Sequence, residues 1–169
     1  MNKIRVVIML TLTVAFLALF VAAPAVAKKP LHMADASGGG LFHAPSGSEG
    51  FNLFAFAFDA HQTGTSGEAA GHFLQNNLTT GTVLHLDVVH MEFMGKGNTV
   101  GLIGVVTKTV GSNAQIGDCR AVLLQDNVKN SEMQKDMRSK LSNKCDPPDF
   151  GNTDHFKLYD LDDGHIQIR

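Results

Sequence analysis

From Phe51 onward, bulky and small residues alternate along the chain. Phe54, Phe56 and Phe58 fall on one side of an extended backbone, and Phe51, Leu53, Ala55 and Ala57 on the other. Period-two alternation rich in aromatics predicts a strand, with one bulky face and one face small enough for a close second contact. After the turn Gln62-Thr-Gly-Thr-Ser-Gly67, a weaker strand is expected over Ala69 to Asn76. The longest strand runs from Thr82 to Phe93. On it, Val83, His85, Asp87, Val89, Met91 and Phe93 share one side, and Leu84, Leu86, Val88, His90 and Glu92 share the other. The two sides exchange character midway, as in a strand that bends or passes from one layer to another.

Gly95-Lys-Gly-Asn98 is a turn, and Thr99 to Val110 forms a hairpin with the strand before it. Gly101 and Gly104 inside that strand predict bulges or a close approach of another group. Arg120 to Gln125 gives a further strand. His155 to Leu161 and His165 to Ile168 read as a closing hairpin around Asp162-Asp163-Gly164.

Two stretches depart from this rhythm. Residues 28–50 carry Asp35-Ala-Ser-Gly-Gly-Gly40 and Ala44-Pro-Ser-Gly-Ser-Glu-Gly50, which predict a flexible Gly/Ser/Pro-rich leader holding at most a short strand at Leu41-Phe42-His43. Farther on, Ser131-Glu-Met-Gln134 has the capping-box pattern. Met133, Met137 and Leu141 follow at helical spacing, with Asp136 placed to pair with Lys140. A short amphipathic helix near 131–142, lying on the sheet and ended by Asp146-Pro-Pro-Asp149, is the expectation. The resulting fold class is all-β: an antiparallel β-sandwich or small β-barrel of about six to eight strands with one short helical insertion.

Ahead of these elements, Lys3 and Arg5 precede an apolar or small run from Val6 to Ala23, followed by Ala25-Val-Ala27 and Lys28-Lys29. A basic head, an apolar middle and a small-x-small exit predict a secretory signal peptide over residues 1–27. A retained membrane anchor is the alternative, because the run is near the ~18-residue length of a spanning helix. Pro24 and the small-residue exit favour cleavage. The expected location is secreted or periplasmic, with no membrane span after cleavage and a single β domain over 51–169.

Removing Lys3 and Arg5 takes the 14 basic residues to 12 against 16 acidic, a net charge of −4. No basic stripe remains to suggest a nucleic-acid partner. The two cysteines, Cys119 and Cys145, are most simply a disulfide in an exported chain.

The candidate chemistry is sparse. There are eight histidines. His85 and Asp87 share a strand face two residues apart, and His72 on the neighbouring strand offers a third metal ligand if the register brings it near. A solvated sheet face gives the same pattern. His90-Met-Glu92 begins a zinc-deaminase signature but lacks the later Pro-Cys-x-x-Cys. Asp160-Leu-Asp-Asp-Gly164 fails the spacing of a calcium loop, and Gly64-Thr-Ser-Gly67 is one residue short of a nucleophile elbow. Asn77-Leu-Thr79 matches a glycosylation acceptor. The aromatic set Phe54, Phe56 and Phe58, with Met91, would line a small barrel around an apolar ligand, or would simply be core.

Gly39-Gly-Leu-Phe42, Phe54-Ala-Phe-Ala-Phe-Asp-Ala60, Gly67-Glu-Ala-Ala-Gly-His72, Gly81-Thr-Val-Leu-His85, Gly97-Asn-Thr-Val100, Gln125-Asp-Asn127 and Gly164-His-Ile-Gln-Ile-Arg169 together resemble an uncharacterised group of bacterial secreted all-β domains. The resemblance implies a compact antiparallel module and no catalytic residues, and no cofactor is expected. The segment bearing Cys119 and Cys145 departs from the plainer pattern. The functional expectation is a secreted non-enzymatic β module, binding or structural, whose partner is an unknown protein or small molecule. The alternatives are a barrel for an apolar ligand, and a metal-binding protein or enzyme using His72, His85 and Asp87.

Overall fold

The computed structural model describes residues 32–47, 50–64, 66–95, 97–127, 135–143, 145, 150 and 156–169. The expected signal peptide lies outside them, as do residues 131–134 of the expected helix.

Among the described residues, nine strands form one antiparallel sheet. They are β1 (His32–Ser46), β2 (Gly50–Thr63), β3 (Ala69–Asn77), β4 (Thr82–Met94), β5 (Thr99–Val110), β6 (Cys119–Gln125), β7 (Met137–Ser139), β8 (Leu158–Asp160) and β9 (Asp163–Ile168). Their order is β8-β7-β6-β5-β4-β3-β2-β1-β9. The sheet is open, so neither the closed barrel nor the two-sheet sandwich expected from sequence is formed.

It is nevertheless strongly curled. The two edge strands, β8 and β9, are joined by only Leu161 and Asp162, and so short a link holds them within about 10 Å of each other. The Leu161 amide donates to the carbonyl of Asp136 just before β7, and the Asp162 amide to the carbonyl of Leu41 on β1. The expected closing hairpin is therefore wrong in its pairing: β8 pairs with β7 and β9 with β1. Local sequence suggests pairing neighbours, whereas here the connection crosses the gap between the sheet's two edges.

Inside the curl, the alternation of β2 buries Phe56, Phe58 and Ala60 with Phe42 of β1 and Phe73 of β3. On β4, Leu84, Leu86 and Val88 are buried, then Met91. The register with β5 slips between Val88 and His90. This bulge is the physical form of the exchange of faces, since one extra residue inverts which side chains point inward.

Two expectations fall with β1 and β7. Residues 32–46 are a strand rather than a flexible leader, paired along β2 and, from Ala36 to Leu41, with β9 on the other side. Their inward positions are mostly small, with Phe42 and Ala44 fully buried. Met137–Ser139 is also a strand, pairing with Leu124 and Gln125 of β6. No helical insertion is found among the described residues, because backbone pairing with β6 and β8 outweighs a weak helical spacing.

The cysteines form the expected bridge, Cys119–Cys145. It ties a second, smaller layer to the outer side of β5 and β6, where Ile103, Ala121 and Leu123 pack against Phe150 and Phe156. A Cβ on Gly101 would lie 2.7 Å from the Phe150 ring, so the close approach expected at that glycine is an aromatic side chain seated on the strand.

Candidate functional site

The first candidate is the aromatic interior. Phe56, Phe58 and Met91 are buried and Phe54 is partly so. Phe42 stacks on Phe54 with centroids 5.0 Å apart, and Phe56 stacks on Phe58 at 6.4 Å and on Phe73 at 6.2 Å. These residues do face one interior, but they pack on each other. Among them stands Arg138 of β7, with no exposed surface. Its guanidinium lies 4.3 Å from the Phe42 centroid, 4.6 Å from Phe56 and 5.3 Å from Phe73. Nε donates to the carbonyl of Ser139 and Nη2 to Oε1 of Gln75, both at 2.8 Å, while Nη1 is buried without an acceptor. Burial pushes the guanidinium down to about 9, still above neutral pH, so it remains a cation. Ring faces and one amide oxygen stand where a carboxylate counter-ion is usual.

The second candidate is the His–Asp face. The register sets Asp59, His72 and Asp87 directly opposite one another across β2, β3 and β4. His72 Nδ1 and Asp87 Oδ1 are 3.2 Å apart and both side chains are exposed. His85 lies opposite Leu74, two pairs along the ladder. Two of the three expected ligands are thus brought together. Among the described residues, no group of three or more His, Cys, Asp or Glu side chains is arranged to hold a metal ion.

The third is the gap between the sheet's edges. The amide of Ile166 donates to Oδ2 of Asp136 at 2.6 Å, and that of Ile168 to Oδ2 of Asp126 at 3.3 Å. Asp136 also accepts from the Asn127 amide at 2.9 Å, and its Oδ2 lies 3.3 Å from Nδ1 of exposed His165. Two buried carboxylates therefore satisfy the free edge of β9 where no strand does so. This work is structural.

Clefts also open on the surface among the described residues. One, enclosing about 520 Å³, is polar and is lined by Asn77, Thr80, Thr82, residues 111–114 and Arg120. Here Asn77 is buried, and its Oδ1 accepts from the amides of Thr79 and Thr80. The residue of the glycosylation match thus caps the turn after β3 through its Oδ1. Beside it the backbone N–H of Gln115, with Arg120 adding its charge, holds the Asp118 carboxyl below the ordinary value. Another cleft, about 480 Å³, includes Gln62, Ser66, Gly67, His90 and Glu92 in its lining.

Sequence reasoning missed the buried polar contacts of Arg138 with Gln75 and of Asp126 and Asp136 with β9, and nothing in their spacing marks them. It noticed His90 and Glu92 only as a failed motif. Comparison with family models, with curated proteins and with solved structures gives no match. No helix among the described residues is long and apolar enough to cross a membrane.

Proposed function

We propose that this chain is an exported, disulfide-bonded, non-enzymatic β module that binds a partner or serves a structural role through its surface. The observation that carries this reading is the interior. Arg138 seated on three phenylalanine rings occupies the centre of the curl, where a barrel would hold its ligand. Phe54, Phe56, Phe58 and Met91 serve as core around it. A buried cation also costs free energy that an apolar ligand pocket would only increase.

The Cys119–Cys145 bridge is compatible with an oxidising compartment, and the basic-apolar-small pattern of residues 1–27 supports export. The resemblance to bacterial secreted all-β domains belongs to the same reading. The metal alternative retains the His72–Asp87 pair but lacks a third ligand beside it among the described residues.

The test is to express the full gene in its host, fractionate the cells, and assay the purified exported form against hydrolase and oxidoreductase substrates. Recovery outside the cytoplasm with no turnover is expected. Turnover lost on substituting a cleft residue would overturn the non-enzymatic reading, and retention in the cytoplasm would overturn export.

A further inference from the structure

We infer that the polar cleft between the β3–β4 turn and the β5–β6 loop is a binding site for the carboxylate of a small hydroxylated acid, of the sugar-acid class. This goes beyond the general reading above and stands on the hydrogen bonding of the cleft itself.

Two loops form the site. The turn after β3 brings Asn77, Thr80 and Thr82, and the loop after β5 brings residues 111–114, with Arg120 following on β6. The loops are tied together where Thr82 Oγ1 donates to the Gly111 carbonyl at 3.0 Å. The cleft encloses about 520 Å³, within the usual range of small-molecule sites.

Its polar side chains are held by neighbouring groups and each keeps a function to spare. Asn77 Oδ1 accepts from the amides of Thr79 and Thr80, so the side-chain NH₂ is the group left for a ligand. Ser112 Oγ accepts from the Ala114 amide at 3.1 Å, which leaves its hydrogen free to donate. Thr82 has spent its hydrogen on Gly111, so Thr80 Oγ1, 3.0 Å from it, must donate and keeps only lone pairs. Arg120 gives one N–H to the Cys119 carbonyl at 2.6 Å and one to Asp118 Oδ2 at 3.0 Å. Those two bonds fix the guanidinium and leave three of its five donors. The Arg120 side chain lines the cleft and is still 20% exposed.

The spare functions are therefore mostly donors, beside a fixed positive charge, with one hydroxyl acceptor at Thr80. Their complement is an anion rich in acceptors that also has a hydroxyl to donate. Arg120 carries the only formal charge in the described lining. The Asp118 carboxylate on the same guanidinium would repel a doubly charged phosphate more than a singly charged carboxylate.

The test titrates the ¹⁵N-labelled protein with glucuronate. Glucose is the uncharged match, acetate the carboxylate without hydroxyls, and inorganic phosphate the competing anion. Saturable amide shifts centred on residues 77–82 and 111–120 are expected for glucuronate, weaker ones for acetate, and none for glucose. Arg120→Gln removes the charge and should weaken glucuronate at least about tenfold. Thr80→Ala removes an exposed hydroxyl outside the core. It should weaken glucuronate about threefold and leave acetate unchanged, and it decides the question if Arg120→Gln does not fold. No saturable shift with glucuronate, an equal response to glucose, tighter binding of phosphate, or unchanged glucuronate affinity in either variant would each overturn the assignment.

Discussion

The guanidinium of Arg138 lies 4.3 Å from the centre of the Phe42 ring, linking the three-residue strand β7 to β1 across the interior of the curl. Its Nη2 reaches Gln75 on β3 as well. One side chain therefore joins the short late strands to the long early ones, and several predictions about stability turn on it.

Arg138→Ala should destabilise the protein by roughly 3–5 kcal/mol, because it leaves a cavity among the rings and an unpaired Gln75. Gln75→Leu with Arg138→Met replaces cation and acceptor together by apolar groups, and should lie within about 1.5 kcal/mol of wild type or above it. Urea midpoints of the two variants check this. Equal, large losses in both would mean that the charge itself, rather than the filled volume, holds the core.

The same residue predicts an unusual pH dependence. The folded state holds the Arg138 proton less tightly than the unfolded chain, with a value of about 9 against an ordinary 12.5. Between those values the unfolded state binds more protons, so this group makes stability rise with pH. Its cost is fully present below pH 9 and is relieved above it, by about 1.4 kcal/mol per pH unit. The difference in stability between wild type and Arg138→Met should change by about 1 kcal/mol between pH 9 and 10, where the group passes from half to nearly full deprotonation in the folded state. A flat difference would contradict the burial argument.

At the sheet's edges, Asp136 receives the amides of Ile166 and Asn127. Asp136→Ala leaves both donors buried and unpaired, and should cost about 2–5 kcal/mol. Amide exchange should accelerate first at Ile166 and Ile168. Uniform acceleration across the sheet would show that the edges are not held independently.

Much of this architecture was legible in the chain, and the failures have physical causes. β5 matches its expected limits because Thr99 to Val110 has a strong turn before it and branched residues throughout. The bend in β4 was visible as the exchange between Leu84–Leu86–Val88 and Met91. β1 was hidden because its inward face is mostly alanine and glycine, and its strand character comes from pairing on both sides. Met137–Ser139 was hidden because a strand of three residues has no period of its own. An arginine there gives no sign that three distant phenylalanines will surround it. In the cleft at the end of β4, His90 and Glu92 were visible as a pair. The contact of Gly67 with the His90 ring and the unpartnered nitrogen were not, since both depend on a bulge and on Gly67 at φ +80°.

The Cys119–Cys145 bridge spans a sequence separation of 26 residues. Closing such a loop should contribute about 3–4 kcal/mol. Reduction should lower Tm and expose the outer layer around Phe150 and Phe156 while the aromatic interior stays folded. Near-ultraviolet circular dichroism and exchange at Ala121 and Leu123 report the two separately. An unchanged Tm under reductant would show the bridge to be idle.

The measurement that bears most directly on the account is native mass spectrometry of the protein purified from its host's exported fraction. The account predicts a bare polypeptide beginning near Lys28, lighter by two hydrogens for the disulfide, with no adduct in its interior. A stoichiometric lipid-like or metal adduct, or a chain that keeps residues 1–27, would contradict it.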